Sequence, residues 1–134
     1  MNIGRRTFAF SAASLLALPA TAQEAWPARP VTLVVPYPPG NAADISGRIL
    51  LEPLSAEIGQ RLVIDNRAGA SGIMGSASEA RAAPNGYTLL LTSNSPIASG
   101  PWVTKNVPYV VERDFTPIAR TASTIMSGAL ALVR

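Results

Sequence analysis

The chain has 134 residues, eleven Lys/Arg against eight Asp/Glu, and neither Cys nor His. It therefore cannot form a disulfide, a thiolate nucleophile, a Ser-His-Asp or Cys-His arrangement, or a His-ligated metal site. Two of the eleven basic residues, Arg5 and Arg6, lie at the start, which leaves nine against eight beyond it; so nearly neutral a remainder gives no argument for nucleic acid, which would call for Lys/Arg clustered on one face, and no nucleic-acid partner is expected.

In chain order, the first segment reads as a leader. A basic pair, an apolar stretch from Phe8 to Leu18, and Pro19 followed by Ala20-Thr21-Ala22 follow the order of a secretory signal, with cleavage expected after Ala22. The apolar stretch is shorter than the roughly 20 residues that a bilayer span needs. Arg5-Arg6-Thr7-Phe8 resembles a twin-arginine signal, although an ordinary Sec leader also carries basic residues, so both export routes stay open.

Next, PVTLVVPY, Pro30 to Tyr37, is a β-branched apolar run bounded by prolines, suited to a strand buried on both faces. After the loop PPGN, a helix is predicted from about Ala43 to Ile58, with Gly59 as its C-terminal cap. Ala43, Gly47, Leu50, Leu51, Leu54 and Ile58 share one side of it, whereas Ile45 and Ile49 fall opposite and call for a cover of their own. Pro53 is expected to bend or break this helix. The pattern then repeats, with a strand at Arg61 to Asp65, a glycine-bearing loop at Asn66 to Gly72, an alanine-rich helix at Ile73 to Ala83 and the turn Pro84-Asn85-Gly86. A third strand is predicted at Tyr87 to Thr92 and a loop of turn formers at Ser93 to Pro101. Strands alternating with helices argue for βαβ units and a parallel α/β sheet with right-handed crossovers. GALALVR, at the end, reads as the start of a further strand, and the chain as a truncated lobe.

Ligands of an open parallel sheet bind outside the carboxyl ends of its strands. Three loops qualify: Pro36 to Asp44, Asn66 to Gly72, and Ser93 to Pro101. The first opens a helix, whose unpaired N–H groups and positive dipole end suit an anion, and Gly40 and Asn41 let the backbone approach it closely. Ser93, Asn94 and Ser95 would add short polar donors. The same residues have plainer readings: PYPPGN as a turn, Asp44 as a complement to the helix dipole, and Ser-Asn-Ser as ordinary loop. Gly69 to Gly75 follows a strand like a dinucleotide fingerprint, but its spacing is GxxGxxG, not GxGxxG, and the next strand ends in Ser93-Asn94 without a ribose-binding acid. Glu52 and Glu57, like Glu112 and Asp114, read as solvated surface carboxylates. An α/β hydrolase is disfavoured, since no GxSxG elbow is present and no nucleophile-base pair can be assembled.

PVTLVVPYPPGNAADISGRILLEPLSAEIGQRLVIDNRAGASGIMGSASEARAAPNGYTLLLTSNSP, followed by VPYVVERDFTPIA, resembles the Bug-type substrate-binding proteins of tripartite tricarboxylate transporters. PYPPG with Asp44, LSAEIGQ, NRAGASG, APNGYTLL and DFTPIA occur in the family's order. The resemblance implies a type II periplasmic-binding-protein-like receptor whose two α/β lobes close on a small carboxylate or amino acid. It also implies no catalysis, no cofactor, and partnership with the membrane permease subunits of the transporter. Carried over residue by residue, it assigns ligand contact to Tyr37, Pro38, Gly40, Asn41, Ala42 and Asp44, and to Ser93, Asn94 and Ser95. Two departures stand out: Asn41 replaces a glycine, and Gly47 an alanine at a helical cost of about 1 kcal/mol. Family members are expected to be about twice this length, two lobes of ordinary domain size. On that reading, residues 1–22 are the leader, 23–122 the N-terminal part of the first lobe, and 123–134 the crossover and start of a second. The alternative is a truncated gene fragment without function.

Overall fold

Val31–Val35, VTLVV, forms the central strand β1, and four of its five residues are buried. Burial on both faces explains why the run does not alternate with polar residues. The computed structural model describes residues 25–123. The leader with its cleavage point, the strand expected within GALALVR and nearly all of the expected crossover at 123–134 lie outside those residues.

Helix α1 (Ala42–Ile58) follows β1 and leads to β2 (Leu62–Asn66). A short 3-10 turn, Ala70–Gly72, leads into α2 (Ile73–Glu79), and then comes β3 (Thr88–Leu90). The sheet order is β2-β1-β3, with both pairs parallel. Leu33 lies opposite Ile64 on one side and Leu89 on the other. The chain thus crosses one way from β1 to β2 and the opposite way from β2 to β3. Right-handed crossovers in opposite directions put their helices on opposite faces. The contacts agree. On α1, a Cβ at Gly47 would lie 3.0 Å from Leu91 Cδ2, 3.3 Å from Ile64 Cδ1 and 3.5 Å from Leu33 Cδ2, all on one face. On α2, a Cβ at Gly75 would lie 2.6 Å from Pro36 Cβ, on the other.

Helix α1 begins one residue before the predicted start, at Ala42, and ends at Ile58 as predicted, with Gly59 in the left-handed conformation at φ 68°. Pro53 does not break it. The carbonyl that Pro53 leaves without a helical donor belongs to Ile49, and both residues are exposed. Gly47, read above as a helical cost, is buried where α1 lies closest to the sheet. Ile45 and Ile49 are 50% and 70% exposed, so the cover expected for them is absent among the described residues. Leu54, expected on the apolar side, is also exposed.

Three other elements differ from expectation. Helix α2 stops at Glu79 rather than Ala83: the Ala82 N–H donates to the Glu79 carbonyl, tightening the chain into a turn ahead of Pro84. Strand β3 is three residues long, although Tyr87 and Leu91 each add one backbone bond to β1. The loop expected from Ser93 to Pro101 is instead helical over most of its length, with a π-helical turn at Ser95–Ser99 running into α3 (Gly100–Val103). A last short helix, α4 (Val111–Asp114), is capped by its own acid, since the Val110 N–H donates to Asp114 Oδ2. Asp114 is thus more than the solvated carboxylate expected; Arg113 and that N–H hold it down to about 2. Tyr109 packs with Ile73 and Ala77 in a small core beneath these elements.

Candidate functional site

The reversal of crossover direction between β2 and β3 makes the carboxyl ends of β1 and β3 a topological switch point, the edge at which open α/β sheets bind their ligands. The loops after these strands are the first and third of the three singled out in the sequence. A hydrogen bond of 2.5 Å between Tyr37 Oη and Ser93 Oγ joins them.

The first loop is built by local chemistry. Pro38 to Asn41 is a turn in which the Asn41 N–H donates to the Pro38 carbonyl at 3.2 Å. Pro39 takes its second position and Gly40, at φ 84°, its third. That third position needs a left-handed backbone, which glycine adopts without strain. Asn41 then caps α1, its Oδ1 accepting from the Ala43 N–H at 3.0 Å. Asn41 thus supplies a side-chain cap to the helix. Ala42 is the first helical residue, and its N–H and that of Asp44 have no protein acceptor among the described residues.

Asp44 is 1% exposed. Its Oδ2 accepts from the Gly40 N–H and from Arg48 Nε, both at 2.8 Å, and its Oδ1 accepts from Asn66 Nδ2 at 3.0 Å. The Arg48 hydrogen bond and then the Gly40 N–H hold the carboxyl well below the usual carboxylate range. The same Asn66 amide donates to the Tyr37 carbonyl at 3.1 Å. One buried carboxylate therefore ties the turn, the helix start and the end of β2 together. This goes beyond the dipole complement read from the sequence, and both oxygens are already engaged by protein donors.

In the third loop, Ser93 and Asn94 are exposed and Ser95 half-buried, at the head of the π turn. Ser93 Oγ accepts from the Ser95 N–H at 3.4 Å. The second loop reaches the same place by another route. Gly69, Ala70, Ser71 and Gly72 all have positive φ, and a Cβ on Gly72 would lie 3.0 Å from Tyr37 Oη and 3.2 Å from Pro96 Cγ.

All nine predicted site residues thus lie in two loops and the helix starts that follow them, on one edge of the sheet. Pro38, Gly40, Asn41 and Ala42 are exposed, Tyr37 is half-buried and Asp44 is buried. Arg48, Asn66, Gly72 and Pro96 also belong to this arrangement and were not among the predicted site residues. The spacing of Asp44 and Arg48, four apart on a helix, is a readable signal; nothing local marks Asn66, which reaches Asp44 only through strand pairing. Among the described residues, no group of three or more His, Cys, Asp or Glu residues converges as metal ligands.

Comparison with known proteins agrees with this architecture. The chain is 41% identical over 111 residues to BugT of Bordetella pertussis, covering 82% of the chain and 34% of that protein. It is 40% identical over 125 residues to a UPF0065 protein of Pseudomonas sp., covering 91% of the chain and 37% of that protein. It thus spans about a third of the length of the curated relatives it matches, less than the half expected. Among solved structures, MatC from Rhodopseudomonas palustris with bound malate superposes with a TM-score of 0.65 at 32% identity, covering 68% of this chain and 31% of MatC. An R. palustris protein solved with adipate gives 0.62 at 36%, covering 65% and 29%. A structure described as a periplasmic transporter gives 0.62 at 38%, with the same coverage. The fold is accordingly the parallel α/β arrangement of periplasmic binding proteins. Residues 47–132, more than half of the chain, match the tripartite tricarboxylate transporter family receptor, and the chain belongs to that receptor family.

Proposed function

We propose that the protein is an exported solute receptor, not an enzyme, that contributes one wall of a binding site for a small carboxylate. The observation that carries this reading is the meeting of the loops after β1 and β3 at the switch point, beside a helix start whose Ala42 and Asp44 N–H groups have no protein acceptor among the described residues. Backbone donors at a helix N-terminus suit a carboxylate. Tyr37, Pro38, Gly40, Asn41 and Ala42, with Ser93, Asn94 and Ser95, form that wall, and Asp44 acts by holding the first loop. The malate and adipate of the two R. palustris structures make dicarboxylates the first class to try; an amino acid is the second. Residues 1–22 direct export to the periplasm and are cleaved after Ala22. Residues 23–122 belong to one lobe and 123–134 lead towards a second, which closes over the ligand and presents the loaded receptor to the permease subunits.

A melting-temperature panel tests the ligand class. A ligand that binds only the folded state stabilises by about 2.7 kcal/mol at a hundredfold excess over its Kd. Malate or adipate at high concentration is expected to raise the melting temperature above that in sodium chloride of equal ionic strength. No rise with any di- or tricarboxylate or amino acid would contradict the reading. N-terminal sequencing of periplasmic material tests export, and uncleaved chain found only in the cytoplasm would refute it.

A further inference from the structure

The π turn at Ser95–Ser99 poses a backbone problem, and its solution lies outside the site. In an α-helix the Gly100 N–H would donate to the Pro96 carbonyl, four residues back. Here it donates instead to the Ser95 carbonyl, five residues back. The wider π spacing would give the Pro96 carbonyl the N–H of residue 101, but residue 101 is proline and has none. Pro96 is fully buried, so water cannot readily satisfy the orphaned oxygen. Tyr109 Oη donates to it at 2.7 Å. That ring is itself buried, packed edge-on against Phe115 at 5.4 Å between centroids. Burial raises the Tyr109 pKa above its ordinary value.

Gly100 reinforces the arrangement from the other side. A Cβ there would lie 2.8 Å from the Ser95 carbonyl oxygen, so the close return of the chain needs glycine. Ser99 Oγ donates to the same oxygen at 3.2 Å. The turn thus occurs where Pro96, Gly100, Pro101 and Tyr109 coincide. Single-turn π segments are often found at functional sites. This one sets the direction of Asn94 and Ser95 relative to α3, because each residue of a helix turns the chain by about 100°.

We propose that Tyr109 is a positioning residue of the ligand site: its hydroxyl holds the Pro96 carbonyl, keeps the turn in its π form, and so aims Ser93, Asn94 and Ser95 into the crevice. The inference rests on the carboxylate-receptor reading for its ligand, but not for its geometry. Loss of the hydroxyl leaves Pro96 with a buried oxygen that a return of the Gly100 N–H would satisfy. That return removes the extra residue from the turn and rotates the loop away from Tyr37.

The test compares Tyr109→Phe, Gly100→Ala and Val111→Ala by amide NMR, without ligand and during titration with malate and with adipate. Val111 packs against the same core from α4, outside the turn and the loops in sequence, so it controls for simple destabilisation. Tyr109→Phe and Gly100→Ala are expected to shift the Asn94, Ser95 and Gly100 amides, to speed exchange at Gly100, and to weaken binding about fivefold or more. Val111→Ala is expected to lower the melting temperature while leaving those amides and the affinity within about twofold of the parent. Unchanged amides at 94–100 in Tyr109→Phe would overturn the inference, as would an equal loss of affinity in Val111→Ala. If the parent binds neither probe, the carboxylate reading fails by itself, and the ligand-free spectra still decide the role of Tyr109.

Discussion

The two loops that meet at the sheet edge are fixed by opposite means. The loop after β1 is held mainly from within, with Asn66 of β2 as a further tie: Pro39 and Gly40 shape the turn, Asn41 caps the helix, and Asp44, four residues on, accepts the Gly40 N–H. The loop after β3 is held from without, by a π turn whose orphaned carbonyl is met by Tyr109, thirteen residues downstream. A local device depends on a few side chains close in sequence, so a single substitution can dismantle it. The distal device spreads the task over Pro96, Gly100, Pro101 and Tyr109, and ties the site to the small core under α2.

The largest effect should come from the centre of the local device. Asp44→Ala removes the acceptor shared by Gly40, Arg48 and Asn66. Loop order, stability and ligand binding should fall together, with dicarboxylate affinity down more than about tenfold by calorimetry. Unchanged affinity would mean that the turn keeps its shape unaided. The same carboxylate gives a pH signature. Its folded pKa lies below the ordinary 3.8, so the native state holds fewer protons than the unfolded chain as the pH falls. The stabilisation is complete above that ordinary value and is lost as the pH drops through the folded one. Urea melts between neutral pH and pH 3 should show the onset of this loss in the parent and a flatter profile in Asp44→Asn.

A smaller effect is expected at Gly40. Valine there is disfavoured at φ 84° by about 1 to 2 kcal/mol. A Cβ at Gly40 meets nothing within 4 Å, so the cost is conformational, without crowding inside the fold. Gly40→Asn should therefore recover most of the stability, since asparagine tolerates this backbone. Equal losses for the two variants in denaturant melts would point to a steric cause instead. The smallest effect belongs to the rim of the other loop. Asn94 is exposed, and its side chain has no hydrogen-bond partner among the described residues, so Asn94→Ala should leave the melting temperature unchanged and weaken dicarboxylate binding by about 1 kcal/mol. A drop in melting temperature without loss of affinity would remove Asn94 from the site.

The same contrast explains what the sequence disclosed. Parallel strands, the bounds of α1, the Gly59 cap and the turn at PPGN could be read because each signal lies within a few residues of its effect. The buried role of Asp44 was half legible: Arg48 stands at helical spacing, but Asn66 arrives only because β2 pairs with β1 in the register that sets Val35 opposite Asn66. The helical nature of Ser95 to Val103 was hidden, since Ser, Pro and Gly in that density read as loop. Their use in a π turn depends on a tyrosine that sequence spacing does not connect to them. Gly47 was rightly placed on the buried side of α1, but helix propensity registers only the cost of its missing Cβ, whereas the sheet packs against the space it leaves.

The most direct test of the account is an amide NMR titration of the protein with malate and adipate, followed residue by residue. The loops after β1 and β3 should respond together, with the largest shifts at Gly40 to Ala42 and Ser93 to Ser95 along a single binding curve. Shifts confined to one loop, or centred away from both, as on α4 or on the exposed Trp102 of α3, would contradict a shared site at the switch point.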